Sequence, residues 1–169
     1  MIDNFDIIPL RELVVPRRTL NSVSESLNDY FHNRVSQDEK RNLSKCFVLI
    51  NPQANEIIGY YTLSSSSVDI SDIPIEKLAR GIRYPQIPVA LLGRLAIDEK
   101  YAGQGYGKLL IIDAITKVKN SYLGNAALIV DAKDENAKNF YLKLGFLPFL
   151  DKYENNNKLF LPLNKLIIE

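Results

Sequence analysis

The second half of the chain consists of short apolar runs separated by segments with helical periodicity. Val89–Ile97 is almost continuously apolar, and Ala126–Val130 is apolar throughout. Apolar runs of this length are typical of strands that are covered on both faces of a sheet. We therefore predict two central strands here, followed by two final strands at Phe146–Leu150 and Lys158–Leu163.

Two amphipathic helices are predicted between these strands, at Gly105–Lys119 and Asp134–Leu144. Their apolar stripes consist of Ile111, Ile115 and Val118 in the first helix and of Ala137, Phe140, Tyr141 and Leu144 in the second. This spacing places the apolar side chains on one face of each helix. Gly145 follows the second stripe directly and is predicted to end that helix.

The first half of the chain is more polar, and its elements are shorter. Ser22–Asn33 has apolar residues four apart and serines that can cap its start, which predicts an amphipathic helix. The polar residues 36 to 42 are predicted as a loop. The other predicted elements are an edge strand at Phe5–Val15, an antiparallel hairpin of Phe47–Ile50 with Ile57–Leu63, and a helix at Pro74–Arg83. The complete order, β-α-β-β-α-β-α-β-α-β-β, predicts a single α/β domain over residues 1–169, a mixed sheet with helices on its faces.

Composition excludes several classes of protein. The 169 residues include 21 Lys and Arg against 20 Asp and Glu, a net charge of +1, which argues against a strongly basic nucleic-acid module. One cysteine and one histidine exclude a disulfide framework and a Cys/His zinc cluster, so no metal is expected. Cys46 is expected to be a core residue, and His32 to be a surface or hydrogen-bonded residue without a catalytic role.

The chain shows no sign of export or membrane insertion. Asp3 and Asp6 interrupt the apolar residues at the N-terminus, unlike the core of a signal peptide. No apolar run is long enough to span a bilayer. We therefore expect a soluble, cytoplasmic protein with no membrane partner.

A glycine-rich loop separates the strand Val89–Ile97 from the next helix. It contains Gly103, Gly105 and Gly107. Glycines let backbone N–H groups approach a bound anion, and a helix N-terminus adds partial positive charge, so the loop predicts a phosphate or pyrophosphate site. The spacing matches neither the dinucleotide pattern G-x-G-x-x-G nor a P-loop. The alternative is a tight turn without a ligand.

The loop and the later helix together resemble a known site. The two segments read Tyr101-Ala102-Gly103-Gln104-Gly105-Tyr106-Gly107-Lys108 and Tyr141-Leu142-Lys143-Leu144-Gly145-Phe146. They are similar to the Q/R-x-x-G-x-G/A and Tyr-x-x-x-Gly-Phe patterns of the acetyl-CoA site in the GNAT acetyltransferases. The resemblance covers Val89–Leu163 and implies that family's fold, a mixed, mostly antiparallel sheet flanked by helices on both faces.

The resemblance also implies roles for individual residues. The end of the strand, formed by Leu95, Ala96 and Ile97, would bind the acetyl and pantetheine groups of acetyl-CoA. Asn136 would hydrogen-bond the pantetheine or phosphate region, and Tyr141 would lie beside the sulfur. The residues implied in pyrophosphate binding are Ala102, Gly103, Gln104, Gly105, Tyr106, Gly107 and Lys108.

Ala102 departs from the family pattern, because that position usually holds Gln or Arg. Backbone amides make most of the phosphate contacts, so we expect weaker CoA binding and not its loss. Lys100 and Lys108 are nearby cations that could compensate.

Tyr141 has a coherent chemical role as a general acid. An amine that attacks the thioester releases CoA as a thiolate, whose thiol has a pKa of about 8.5, and a phenol with a pKa of about 10 can donate to it at neutral pH. The alternative is that Tyr141 is only a core residue, since it lies on the apolar face of its helix.

No general base is evident in the sequence. Val89–Ile97 contains no Asp or Glu, and Asp98 and Glu99 beyond it are expected to be solvated. A lysine amine with a pKa of about 10.4 would need a base, whereas an α-amine with a pKa of about 7.7–8.0 is already partly neutral. An α-amine is therefore the favoured acceptor.

One branch of the family is especially similar, the GNAT toxins that acetylate aminoacyl-tRNA and pair with ribbon-helix-helix antitoxins. The similar segments are Leu27–Phe31, Ile58–Leu63 with the serines after it, Pro88–Asp98, Phe140–Phe146 and Lys158–Leu163. Two features differ, because residues 19–24 lack the Phe-x-Cys-Gly-like segment of these toxins and the chain is less basic than they are. The resemblance implies aminoacyl-tRNA as acceptor, with Arg80, Arg83 and Arg94 as candidate phosphate contacts. It also implies a ribbon-helix-helix antitoxin and a second copy of the chain as partners.

Two other functions remain open at this point. One is an acetyltransferase that acts on a small-molecule or protein amine. The other is a non-catalytic acyl-CoA-binding domain of the same fold, which the departure at Ala102 favours and the presence of Tyr141 disfavours.

Overall fold

The computed structural model describes residues 4–74, 76, 80–150 and 157–164. Within these residues the helices are α1 (Glu25–Asn33), α2 (Val35–Lys40), α3 (Tyr106–Lys119) and α4 (Glu135–Lys143). The strands are β1 (Asp6–Pro9), β2 (Lys45–Asn51), β3 (Glu56–Asp69), β4 (Gln86–Ile97), β5 (Ala127–Asp131), β6 (Leu147–Pro148) and β7 (Lys158–Pro162). These strands form a mixed sheet, as the sequence predicts, and their order in the sheet is β1-β2-β3-β4-β5-β7-β6.

The chain divides into two compact units, of which the first comprises Met1–Ser64 and Gly93–Asp113. Strands β1, β2 and β3 pair antiparallel in this unit. Helix α1 begins after Ser24, whose side-chain oxygen accepts a backbone N–H of the first turn at 3.4 Å. Phe31 of α1 is fully buried and stacks on the ring of Tyr60 from β3, with 4.6 Å between ring centroids. The helix therefore covers the apolar face of the sheet, as its periodicity requires.

The second unit comprises Ser65–Leu92 and Ala114–Glu169. Strands β4 and β5 are parallel, with Leu91 opposite Ile129. Strand β7 pairs antiparallel with β5 on one side and with β6 on the other. One buried hydrophobic cluster of this unit comprises Ile73, Ile87, Val89, Ala127, Ile129, Phe149 and Phe160.

Five elements differ from the sequence prediction. Helix α2 lies where a loop is predicted, because the fully buried Val35 anchors its otherwise polar first turn. Strand β3 continues to Asp69 through the four serines, and β1 and β6 are shorter than predicted. Of the ten residues in the helix predicted at Pro74–Arg83, residues 75 and 77–79 lie outside the described ranges, and residues 80–83 form a turn and a loop that are not helical.

Two observations bear on the predictions from composition. In the described ranges, no helix has the length and apolarity needed to cross a membrane. The same ranges hold no group of three His, Cys, Asp or Glu side chains placed to bind a metal ion. Cys46 is 1% exposed, in the core as predicted, and a ring nitrogen of His32 lies 3.0 Å from the carbonyl oxygen of Leu20.

Candidate active site

The end of β4 lies close to β3 in the first unit, and Gly59 of β3 permits this approach. A Cβ atom on Gly59 would lie 2.5 Å from the carbonyl oxygen of Ala96 and 2.7 Å from the Ile97 side chain. No real Cβ contact is this short, so only glycine fits here. The pairing continues to Asp98, whose N–H donates to the carbonyl of Ile58 at 2.8 Å. The position of Leu95, Ala96 and Ile97 is therefore fixed from the β3 side.

Asp98 is buried, which corrects the prediction that it is solvated. It is 6% exposed, and its carboxylate accepts the N–H of Asn21 at 2.7 Å and the N–H of Lys100 at 2.9 Å. The second bond caps the 3₁₀ turn Glu99–Tyr101. With both carboxylate oxygens bonded to backbone N–H groups, Asp98 has a structural role between β4 and the loop that follows.

The predicted pyrophosphate loop follows this turn and leads into α3. Residues 102 to 105 are all exposed, and Gly103 and Gly105 have φ angles of 73° and 89°. These left-handed conformations suit glycine and explain two of the three glycines in the pattern. The N–H groups in the first turn of α3 lack intrahelical acceptors, and the helix dipole favours an anion beside them. An exposed, glycine-rich loop at the start of a 14-residue helix fits the pyrophosphate of CoA.

The side chains around the loop are less available for phosphate binding than the sequence suggests. The N–H of Ala102 donates to the carbonyl of Glu99 at 3.3 Å, and the Gln104 side chain donates to the carbonyl of Lys100, also at 3.3 Å. The Lys100 ammonium pairs with Glu56 at 2.6 Å, so its charge is partly neutralised. Lys108 on α3 is exposed and is the better placed of the two predicted compensating cations.

Helix α4 carries the other two predicted site residues. Its N-cap is Asp134, whose side chain accepts the N–H of Ala137 at 2.8 Å. Asn136 lies in the exposed first turn, and Tyr141 lies near the C-terminal end with only 8% of its surface exposed. Gly145 (φ 96°) reverses the chain directly after the helix. Its N–H donates to the carbonyl of Leu142 at 3.1 Å, one of the two bonds of a Schellman motif.

The Tyr141 side chain is surrounded by other rings. The rings of Phe140 and Phe146 contact it edge to face, with centroid distances of 5.2 and 5.3 Å. Burial raises the pKa of Tyr141 to about 12. Across the described part of the chain, no residue hydrogen-bonds its hydroxyl. The phenol is therefore protonated at neutral pH and has its donor capacity available.

The structure places the predicted site residues in two groups. Leu95–Ile97 and Ala102–Lys108 lie in the first unit and form a continuous segment from strand to helix, whereas Asn136 and Tyr141 lie on α4 in the second unit. Of the predicted phosphate contacts, Arg80 and Arg83 are exposed. Arg94 lies over the ring of Tyr30 at 3.6 Å, a cation–π contact within the first unit. The Arg94 guanidinium therefore already has an intramolecular partner in Tyr30.

Comparison with known proteins identifies the family of this chain. The model of the acetyltransferase (GNAT) family matches residues 10–146. The tRNA-acetylating toxin of Mycobacterium tuberculosis is 34% identical over 130 residues, which cover 76% of each protein. The solved structure of AtaT complexed with acetyl-methionyl-tRNAfMet superposes with a TM-score of 0.86 at 30% identity, covering 95% of this chain and 96% of that one.

A second solved structure shows an AtaT mutant bound to the C-terminus of the antitoxin AtaR and to acetyl-CoA. It superposes with a TM-score of 0.78 at 28% identity, covering 96% of this chain and 95% of that one. The fold agrees with the matched family. This chain belongs to the GNAT family of acetyltransferases.

Proposed function

We propose that this acetyltransferase transfers acetyl from acetyl-CoA to the α-amine of aminoacyl-tRNA and acts as the toxin of a toxin–antitoxin pair. The observation that carries the proposal is the similarity over nearly the whole chain to AtaT in complex with acetyl-methionyl-tRNAfMet. The identity to a tRNA-acetylating toxin supports the same acceptor. The single domain over residues 1–169 is part of this proposal.

The binding of acetyl-CoA is assigned to the loop and the strand end. Gly103, Gly105 and the first turn of α3 hold the pyrophosphate through backbone N–H groups. Lys108 adds a positive charge, Leu95–Ile97 binds the acetyl and pantetheine groups, and Asn136 contacts the pantetheine or phosphate region. When bound, acetyl-CoA supplies the activated acetyl thioester.

Tyr141 acts as the general acid toward the sulfur. With a pKa of about 12, its phenol is a weaker acid than a thiol of pKa about 8.5. Tyr141 therefore stabilises the departing thiolate chiefly by donating a hydrogen bond, with solvent completing the protonation. Its packing between two rings supports this role, as does its hydroxyl, which no residue in the described ranges hydrogen-bonds.

The acceptor amine is deprotonated without a carboxylate from the strand end. Strand β4 contains no Asp or Glu, and the carboxylate of Asp98 is occupied by two backbone N–H groups. An α-amine next to an ester loses its proton readily, because the ester withdraws electrons. Aminoacyl-tRNA therefore supplies an amine that is nucleophilic near pH 7 without a protein base.

The test is transfer of labelled acetyl to charged tRNA by the purified chain, with free amino acids, polyamines and peptides assayed alongside. We expect label on charged tRNA and a rate that falls steeply with added salt, because phosphate contacts release counterions. Arg80→Gln and Arg83→Gln should reduce that salt dependence, with Arg11→Gln as an exposed control. Label on a peptide or polyamine and none on charged tRNA would leave only the general acetyltransferase.

The partners proposed are a ribbon-helix-helix antitoxin and a second copy of the chain. The antitoxin follows from the similarity to the toxin bound to AtaR. Co-expression with the product of the adjacent reading frame should relieve growth arrest and yield a complex on gel filtration. Light scattering of the chain alone reports whether it dimerises. A cytoplasmic location follows from the acceptor, since charged tRNA is used there.

A further inference from the structure

The turn that precedes the predicted pyrophosphate loop is held by a polar network centred on Tyr101. The Tyr101 hydroxyl donates to Glu56 Oε2 at 2.8 Å and accepts from Asn51 Nδ2 at 3.3 Å. Tyr101 is 8% exposed, and Asn51 is 7% exposed. These partners lie on β2 and β3, about 50 residues before Tyr101 in the chain. The network therefore ties the turn Glu99–Tyr101 to the sheet.

Both ends of the loop are fixed by the same pair of aromatic rings. Tyr101 is the last residue before Ala102–Gly105, and Tyr106 is the first residue after it. Their rings meet edge to face at 6.0 Å and 85°, and Tyr106 is 1% exposed. The four residues between them are exposed, and two of these are glycines with positive φ. The two residues that flank the loop are thus held by packing, whereas the glycines between them have a conformationally flexible backbone.

Glu56 links this network to the neighbouring cation. Its other oxygen, Oε1, pairs with the Lys100 ammonium at 2.6 Å, which leaves the Lys100 charge partly neutralised beside the loop. Ala102 has no polar side chain, and its N–H is bonded within the turn. Phosphate binding therefore depends on the orientation of the backbone N–H groups after residue 102, and a loop that is ordered beforehand loses less entropy when the ligand binds.

We propose that Tyr101, held by Glu56 and Asn51, is a positioning residue that orders the pyrophosphate loop before acetyl-CoA arrives. The proposal rests on the proposed binding of acetyl-CoA at this loop. In this role Tyr101 acts through the backbone of Gly103–Gly105 and not by contact with the ligand.

Calorimetry on the full chain tests the proposal. Tyr101→Phe keeps the ring contact with Tyr106 and removes only the hydroxyl, so the Kd for acetyl-CoA should rise about three- to tenfold, the effect of losing one to two hydrogen bonds. The Kd for S-acetylpantetheine, which lacks the pyrophosphate, should not change. With an acceptor present, KM for acetyl-CoA should rise while kcat at saturation stays constant. Tyr122→Phe is the matched control, because it removes a phenol from a fully exposed side chain outside this network.

Glu56→Ala removes the acceptor of the Tyr101 hydroxyl and remains informative if Tyr101→Phe folds poorly. We expect the double variant Tyr101→Phe/Glu56→Ala to bind acetyl-CoA no more weakly than the weaker-binding single variant, because both changes break the same hydrogen bond. Lys100→Gln separates the charge effect, and it should change the Kd by less than twofold at 0.15 M salt. A Lys100→Gln loss as large as that of Tyr101→Phe would assign the effect to the cation and overturn the proposal.

The measurements distinguish the positioning role of Tyr101 from the binding of acetyl-CoA on which it depends. A wild-type chain that does not bind acetyl-CoA ends the proposed function. A wild-type chain that binds, together with a Tyr101→Phe variant of equal Kd, overturns the positioning role alone. A lower melting temperature with an unchanged Kd also overturns it, because the phenol is then only structural.

Discussion

The backbone N–H of Phe146 donates to the carbonyl oxygen of Tyr141 at 3.1 Å, and the rings of these two residues lie 5.3 Å apart. The bond is the second of the Schellman motif formed with Gly145, so it links the end of α4 to the residue that packs on Tyr141. One local motif therefore sets both the end of the helix and the surroundings of the proposed general acid. This explains why a Tyr-x-x-x-Gly-Phe pattern has a fixed spacing.

Replacing Tyr141 by Phe should lower turnover and leave acetyl-CoA affinity almost unchanged. The ring and its two aromatic contacts remain, while the donor to the sulfur is lost. Loss of one acid–base group typically costs about 10²-fold or more. The measurements are kcat under single-turnover conditions and the Kd for acetyl-CoA by calorimetry. Phe140→Leu is the control, because it removes a neighbouring ring and leaves the Tyr141 phenol in place. If turnover in Tyr141→Phe equals that of the wild type, Tyr141 is a core residue only.

The pH dependence of the reaction should show no loss of Tyr141 function near pH 10. The protonated phenol is the donor, and burial raises its pKa to about 12, so the donor form persists to higher pH than in an exposed tyrosine. The limiting rate between pH 7 and pH 10.5, measured with saturating acetyl-CoA, should not decline with an apparent pKa near 10. A decline there in the wild type that is absent from Tyr141→Phe would contradict the raised pKa.

Gly105→Val should abolish most acetyl-CoA binding. Gly105 has a φ of 89°, which a β-branched residue does not adopt without strain of about 1–3 kcal/mol, and the added side chain would crowd the backbone N–H groups. We expect the Kd to rise at least tenfold. Gly124→Val is the matched control, because a Cβ there meets no atom within 4 Å and the φ is not positive. Equal affinity of the two variants for acetyl-CoA would show that the loop is not part of the binding site.

Gly59→Ala should destabilise the fold and weaken acetyl-CoA binding together. The new Cβ collides with the carbonyl of Ala96, which is backbone and cannot swing away. Overpacking of this kind costs about 1–3 kcal/mol of unfolding free energy. Urea denaturation and calorimetry measure the two effects, with Gly124→Ala as the control. A stable variant with normal affinity would show that the strand end tolerates displacement and is not critical for the ligand.

The parts of the site that follow from local sequence were predictable. The glycines of the loop and Gly145 mark backbone conformations that other residues avoid, and the stripes in the second half set α3 and α4. Helix α2 was missed because one buried residue, Val35, determines it and a single position gives no periodic signal.

The contacts that support the loop could not be predicted, because they join distant positions. Glu56 and Lys100 are 44 residues apart, and neither motif nor periodicity connects them. Asp98 was expected to be solvated because a carboxylate at a strand end usually is, but Asn21 and Lys100 supply N–H groups that satisfy it in the interior. Only tertiary structure brings such partners together.

The burial of Cys46 makes the chain suitable for site-specific labelling. Its thiol is 1% exposed, and burial raises the pKa of that thiol, so it reacts slowly with maleimides in the folded protein. Because it is the single cysteine in the sequence, a cysteine introduced at the exposed Gln104 would be the principal site of modification. A fluorophore at that position would report ordering of the pyrophosphate loop directly, without removal of any native residue from the core.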